Sequence, residues 1–263
     1  MAAASVLVSH APAVPGSHSG ARNQSRIHLK GDYEVTTRLK GLGIVLAVVG
    51  LVFVAGGAFA YLKVQDGTTS LNAFSAAQNV TLSYNEDGQL IDRGETAGAE
   101  SIMSLLENDW GYPVVAAELD PNDPVVNTAS EYMYQMATIA YHTLHGSTTV
   151  TLTEPVEYKG ETFAAGTYEF QNDGRYWTGF DRMHPIEGPA RAAIWTGTAH
   201  ALIGELGVGT MTAQALQMGL GLAGLFAGIG ATFIFFGLGL VWVTRAELVP
   251  APEFRRSTVG VEA

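Results

Sequence analysis

One uncharged run near the C-terminus constrains the fold of this chain more than any other feature. Met218–Val243 reads MGLGLAGLFAGIGATFIFFGLGLVWV, 26 residues with no charged side chain and with Thr232 as the single hydroxyl. About 20 consecutive apolar residues in a helix are enough to cross the hydrocarbon core of a bilayer. The sequence therefore predicts a transmembrane helix, whose bounds we set at residues 217–244.

A second apolar run lies near the N-terminus. Residues 41–62 read GLGIVLAVVGLVFVAGGAFAYL and carry no charge, so they meet the same length requirement. Ala58-Phe59-Ala60 imitates a signal-peptidase site, but residues 1–40 make a leader that is longer than that of an ordinary signal peptide. We interpret the run as an uncleaved transmembrane helix.

The two spans divide the chain into five segments. We expect a disordered cytoplasmic tail over 1–40, the first span over 41–62, an extracytoplasmic domain over 63–216, the second span over 217–244 and a cytoplasmic tail over 245–263. The predicted fold class is an α+β membrane protein. Two transmembrane helices flank an extracytoplasmic domain of helices and a small antiparallel sheet.

The distribution of charge predicts the orientation. The chain has a net charge of −11, and residues 63–216 hold six lysines and arginines against twenty acids. Basic residues that flank a span tend to stay in the cytoplasm. Arg38 and Lys40 precede the first span and Arg245 follows the second, whereas Lys63 is the one basic residue that flanks a span on the opposite side. We expect a multi-pass plasma-membrane protein with both termini cytoplasmic. The lipid bilayer is then a partner, whereas an acidic domain argues against nucleic acid.

Local patterns place several elements in the domain. The predicted helices are 67–78 as a continuation of the first span, 96–108, 125–145, and 189–205 continuing into the second span. The predicted strands are 80–84, 89–92, 147–153, 156–163, 166–170 and 175–178, with 114–119 as a short strand or extended segment. Asn172-Asp173-Gly174 is the strongest hairpin signal, and it makes 175–178 a return strand.

Small residues mark one face of each span. They are Gly43, Ala47, Gly50 and Gly57 in the first span, and Gly221, Gly224, Gly228 and Ala231 in the second. Small residues let helices approach closely in lipid, so we predict that these faces pack against helices, including those of other membrane proteins. Glycine is also generally frequent in membrane helices, and the sequence leaves open whether the two spans pack on each other.

Catalytic and metal-binding candidates are few. The chain contains no cysteine, which excludes thiol catalysis, cysteine-ligated zinc and iron–sulfur clusters. We predict no catalytic residues and no cofactor. His142 and His145 lie three residues apart on a predicted helix, where both could bind one metal ion. The alternative is a structural role, since histidines are favoured near helix C-termini.

Four phrases of the domain carry a family resemblance. They are SAAQNVTLSYNEDGQL, DWGYPVV, LDPNDPVVNTASEYMYQMATIAYHTLHG and GRYWTGFDR followed by HPIEGPARA. Over residues 41–245 the chain resembles an uncharacterised family of actinobacterial two-span membrane proteins, often labelled aromatic ring-opening dioxygenase. The resemblance implies an actinobacterial cell envelope. The label would require non-haem iron held by two histidines and a carboxylate, drawn from His142, His145, His184 and His200 with Glu131 or Glu205.

Three functions follow as hypotheses. The first is a non-catalytic accessory or interaction protein of the envelope, which the small-residue faces favour. The second is an extracytoplasmic module that senses or binds a small ligand or a cation. The third, a dioxygenase-like enzyme, rests on the family label alone.

Overall fold

The computed structural model describes residues 19–246, with side chains over 34–245. In this part of the chain there are five α-helices and four β-strands. The helices are α1 Ser19–Gln78, α2 Thr96–Ser104, α3 Ala129–Leu144, α4 Glu187–Ile194 and α5 Gly197–Ala246. The strands are β1 Ser147–Leu152, β2 Val156–Tyr158, β3 Glu161–Phe163 and β4 Gly166–Gln171. The α+β class is confirmed.

Helices α1 and α5 contain the two apolar runs. Over Glu34–Gln78 and Gly197–Arg245 they are long and apolar enough to cross a membrane, with mean hydropathies of 2.6 and 2.0 over an 18-residue stretch of each. Both continue well beyond the apolar runs. The expectation that 67–78 extends the first helix is confirmed, because α1 ends at Gln78. The helix predicted over 189–205 is interrupted: α4 ends at Ile194, and the helix that continues into the second apolar run begins at Gly197.

The structure divides into two compact units. Described residues up to Gly57 and from Leu225 onward form one, here called the helix unit; Ala58–Gly224 form the other, the domain unit. The predicted tail over 1–40 differs from the structure, because α1 begins at Ser19 and residues 19–40 are helical. Residues 1–18, and the C-terminal tail after Ala246, lie outside the described residues.

Helix α3 is the centre of the domain unit. Its buried residues include Tyr134 and Ala137, which pack with Ile102 of α2, with Leu106 and with Leu82. Helix α2 runs into a π-helical turn over Leu105–Asp109, so the predicted helix over 96–108 is present with an altered last turn. The predicted helix over 125–145 begins later, at Ala129, because Thr128 caps its N-terminus.

The strands form two separate two-stranded antiparallel sheets. One pairs β1 with β4, with Val150 opposite Tyr168, and the other pairs β2 with β3. Val150 points into a small core with Ile186 and Ala190 of the α4 region. The strands predicted over 147–153, 156–163 and 166–170 are therefore present, the middle one as a short hairpin.

The predicted return strand over 175–178 is wrong. Residues Trp177–Gly179 form a 3₁₀ turn, and the partner of β4 is β1. The cause is Asn172, whose fully buried side chain donates a 2.7 Å hydrogen bond to the carbonyl of Thr143 at the end of α3. The turn that looked like a hairpin therefore attaches β4 to α3.

The strands predicted over 80–84 and 89–92 are also wrong, although the chain does reverse there. Only isolated bridges form there, which pair Tyr84 with Leu90, Thr81 with Val125 and Asp92 with Glu95. Tyr84 pairs across the tight turn, whereas Thr81 pairs with the loop before α3, so no continuous β-ladder develops. The segment 114–119, predicted as a strand or extended, contains a 3₁₀ turn over Ala116–Glu118.

Candidate functional site

The helix unit is held together by close contacts between glycines of α1 and α5. A Cβ built on Gly43 would lie 2.6 Å from the carbonyl oxygen of Gly237, and one on Gly50 would lie 2.6 Å from that of Gly230. Real Cβ atoms do not approach oxygen this closely, so any larger residue would push the backbones apart. Phe53 adds edge-to-face contacts with Phe226 and Phe233. The two helices therefore pack on each other here.

The two predicted small-residue faces have different surroundings. Gly43, Gly50 and Gly57 are buried and Ala47 is half-buried, the backbone of Ala47 lying against Gly237. By contrast, a Cβ on Gly221, Gly224 or Gly228 would meet no atom within 4 Å, and Ala231 is exposed. The second face therefore points away from α1 within the described structure.

Sequence reasoning missed the residues of α5 that contact α1. Gly230 and Gly237 lie seven residues apart, as do the residues they contact, Gly43 and Gly50. Ala223 and Thr244, both buried, continue the same spacing. A search for a seven-residue period of small residues, the period of paired helices, would have found them.

The domain unit contains an apolar cavity of about 800 Å³ walled by α1, α3 and α5. Its volume lies in the range of about 300–1,000 Å³ that is typical of small-molecule pockets. The residues that line it are Gly67, Ser70, Leu71, Phe74, Ser75, Gln78, Val80, Val126, Tyr132, Gln135, Ile139, Leu202, Glu205, Leu206, Val208, Gly209 and Thr212. No local pattern in the sequence indicates this cavity, because its walls come from segments far apart in the chain.

Tyr132 fixes the inner wall of the cavity. Its hydroxyl shares a 2.7 Å hydrogen bond with that of Ser75, and both side chains are buried. Gly209 gives the ring room, because an added Cβ would lie 2.6 Å from ring carbons of Tyr132. The inner wall is therefore rigid, with its hydroxyl groups already satisfied.

The polar groups around the cavity mostly bond to the protein itself. Gln78 donates a 2.8 Å hydrogen bond to the carboxylate of Glu205 and links the end of α1 to α5. Ser70 and Thr212 donate to carbonyls of their own helices. Glu205 is the one carboxylate in the lining. Apolar side chains therefore dominate the surface that a ligand would meet, and the outer edge keeps Phe74 51% and Val208 67% exposed.

His142 and His145, the predicted metal residues, have separate partners. His142 Nε2 lies 3.0 Å from a carboxylate oxygen of Asp92, and His145 Nδ1 lies 2.9 Å from the carbonyl oxygen of Tyr141. Among the described residues, no group of three or more histidines and acids is placed to hold a metal ion. The pair stays a prediction, and Asp92 contacts His142 but not His145.

The residues that the dioxygenase label would require are also dispersed. His184 Nδ1 accepts the backbone N–H groups of Ile186 and Glu187. His200 Nδ1 lies 3.0 Å from the carbonyl oxygen of Thr196. Glu131 is buried in the N-terminal cap of α3, and Glu205 bonds to Gln78. Each side chain therefore has a local structural role.

Three ionisable groups that are buried or half-buried lie around the start of α3. Burial raises the pKa of Glu131, although hydrogen bonds from the backbone N–H groups of Asn127 and Thr128 oppose the rise. Burial, with the charges of Glu131 and Asp120, raises the pKa of Tyr84 to about 12. Burial also raises the pKa of Tyr134, followed by the charge of Asp92. Both phenols therefore stay protonated at neutral pH.

A separate polar cluster joins the sheets to α4. Hydrogen bonds from Lys159 and then Tyr158 lower the pKa of Asp181 to about 2. Arg175 pairs with Glu187 at 3.0 Å. Although desolvation raises the pKa of Glu187, the hydrogen bonds from the Asp181 N–H and Arg175 outweigh it and leave the pKa below its usual value. These ion pairs link the loop around Asp181 to the β2–β3 turn and to α4.

Comparison of the chain with protein-family models, with curated proteins and with solved structures finds no match.

Proposed function

We propose that the protein is a two-pass membrane protein with a non-catalytic accessory role in the cell envelope, and that it binds helices of other membrane proteins through α5. One observation carries the proposal. The packing face of α5 is used by α1, through Gly230 and Gly237, while Gly228 and Ala231 face away and remain exposed. Small residues on a free face of a membrane helix are the usual contact surface for a second helix.

Two further features support membrane placement. The exposed apolar side chains of the helix unit include Leu51, Val52, Phe235 and Phe236, at 58–74% exposure. Leaving such a surface in water would be costly, since burial of apolar surface is worth about 25 cal/mol per Å². The basic residues that flank the predicted spans favour cytoplasmic termini, with residues 63–216 outside. An actinobacterial envelope follows from the family resemblance and is part of the proposal.

Detergent co-purification of the tagged full-length protein at native expression tests the accessory role. We expect the wild-type protein to retain one or more membrane proteins, and Gly228→Leu to lose them because the leucine blocks close approach. Ala227→Leu is the matched control: it adds a leucine at a neighbouring exposed position, about 100° around the helix. A wild-type protein that purifies as a solitary monomer would contradict the proposal.

A second candidate function is the binding of a small ligand outside the cytoplasm. The cavity between α1, α3 and α5 favours it, because about 800 Å³ of mostly apolar space is large enough for a ligand. The lining favours an apolar ligand over a cation, since Glu205 is its one carboxylate and is already bonded to Gln78. Thermal-shift measurements with metals and with apolar compounds distinguish these ligands: stabilisation by a metal alone would count against this cavity.

A further inference from the structure

We infer that the cavity walled by α1, α3 and α5 binds the hydrocarbon chain of a membrane lipid. The inference deepens the second candidate function and rests on the membrane placement proposed above. It names the ligand class as an amphiphile with a long acyl chain, supplied by the bilayer.

The lining matches a hydrocarbon chain. Leu71, Ile139 and Leu206 present apolar surface, and the hydroxyls of Ser75 and Tyr132 bond to each other. A polar ligand would find few free partners, whereas an acyl chain needs none. Burial of its methylene groups supplies the favourable free energy, which is roughly proportional to the apolar area removed from water.

The outer edge of the cavity is apolar as well. Phe74 and Val208 are 51% and 67% exposed, and Val80 and Leu202 are 36% and 40% exposed. A contiguous exposed apolar patch that borders a cavity marks a binding surface more often than a solvated one. A chain seated in the cavity would cover these side chains.

Two contacts bound the cavity along the helices. Gly67 of α1 approaches Leu216 of α5 at one end, and Gln78 bonds to Glu205 at the other. Gly67 follows Leu62, the end of the first predicted span, by between one and two helical turns. Thr212 precedes residue 217, the start of the second predicted span, by a similar distance along the helix axis. A lipid in the outer leaflet would therefore need to travel only a short distance to reach the cavity.

Photo-cross-linking tests the inference. The full-length protein is placed in nanodiscs of phosphatidylcholine that carries a diazirine near the end of one acyl chain. In the bilayer this group lies deep in the hydrocarbon core, so it reaches residues 67–78 or 202–212 only if the chain has entered the cavity. We expect adducts on these peptides as well as on the spans.

Two variants on α5 supply the comparison. Val208→Trp fills the edge of the cavity and should lose most of the adducts on residues 67–78 and 202–212. Met211→Trp adds the same ring at a position that is equally exposed, 67%, and does not line the cavity. It should keep wild-type labelling. Equal labelling of both variants would mean surface contact only and would overturn the inference.

The spans report on membrane placement in the same experiment. Adducts on 41–62 and 217–244 without any on the cavity peptides would overturn the inference and leave membrane placement intact. Adducts on neither set would contradict both. Adducts on the cavity peptides alone would support the ligand class and contradict membrane placement.

Discussion

Gly209 shows how one residue shapes the wall of the cavity. It lies on α5 directly against the ring of Tyr132, where an added Cβ would come within 2.6 Å of ring carbons. The ring cannot move away easily, because Tyr132 is 6% exposed and its hydroxyl bonds to buried Ser75. Glycine is therefore required for close packing at this position.

We predict that Gly209→Ala destabilises the protein by about 1–3 kcal/mol, the usual cost of overpacking a well-filled site. Gly207→Ala is the control, since its Cβ would meet no atom within 4 Å. Alanine there should stabilise the helix by roughly 0.5–1 kcal/mol. Thermal unfolding of the full-length protein, followed by tryptophan fluorescence, measures both. A Gly209→Ala variant as stable as Gly207→Ala would contradict the contact.

At the residue scale, some local interactions were readable from the sequence and others were not. Thr128 and Glu131 have the spacing of a capping box; they form one in the structure, where Glu131 Oε2 accepts the N–H of Thr128 at 2.8 Å. That signal would have placed the start of α3 correctly. Asn172 could not be interpreted in the same way, because its partner is the carbonyl of Thr143, distant in sequence.

The pairing of α1 and α5 is the main feature at the scale of elements. Gly43 contacts Gly237 and Gly50 contacts Gly230, so the contacts recur every seven residues and in opposite chain directions. A strict seven-residue period is the pattern of helices that wind around each other with a left-handed twist. The glycines allow the backbones to approach closely, which under the proposed membrane placement would compensate for the weak hydrophobic driving force between helices in lipid.

We predict that Gly50→Leu separates the two helices, because its Cβ would lie 2.6 Å from the Gly230 carbonyl oxygen. Gly56→Leu is the control, since a Cβ at Gly56 would meet no atom within 4 Å. The reporter is a cysteine pair introduced at Phe53 and Phe233, whose rings lie 6.0 Å apart. It is specific because the chain has no cysteine of its own.

Oxidative cross-linking, scored by the thiols that remain reactive to a maleimide, measures the pairing. Overpacking by about 1–3 kcal/mol should lower cross-linking about tenfold in Gly50→Leu and leave Gly56→Leu unchanged. Moving the second cysteine from Phe233 to exposed Phe236 should abolish cross-linking in every background. Efficient cross-linking in Gly50→Leu would rule out the close approach.

Elements with a long repeating pattern were predictable, whereas elements that depend on distant partners were not. The apolar runs identified α1 and α5, and β-branched alternation identified β1. The strand predicted over Arg175–Thr178 is absent because a turn sequence does not reveal which strand the preceding strand will pair with, and β4 pairs with β1. The cavity had no signature at all, since Ser75, Tyr132 and Gly209 come from three helices and meet only in the fold.

For the whole molecule, the proposed topology assigns each segment to one side of the membrane. Residues 63–216 carry twenty acids, and Arg38 and Arg245 flank the predicted spans at the ends away from that segment. Export of so acidic a segment would not conflict with the charge rule, because acidic residues have little influence on orientation compared with lysine and arginine. The proposed orientation therefore depends on very few basic residues.

We predict that a cysteine introduced at Thr149, an exposed position of β1, reacts with a membrane-impermeant maleimide in intact cells. A cysteine introduced at Ser257 of the C-terminal tail should react only after the cells are permeabilised. The absence of native cysteine makes each label specific. Replacing Arg38 and Lys40 by glutamine should weaken this pattern, because fewer basic residues then hold the N-terminal side of the first span in the cytoplasm. If Ser257→Cys reacts in intact cells while Arg38 and Lys40 are unchanged, the orientation is the reverse of the one proposed here. Equal labelling of both positions would exclude a two-span topology with a single orientation.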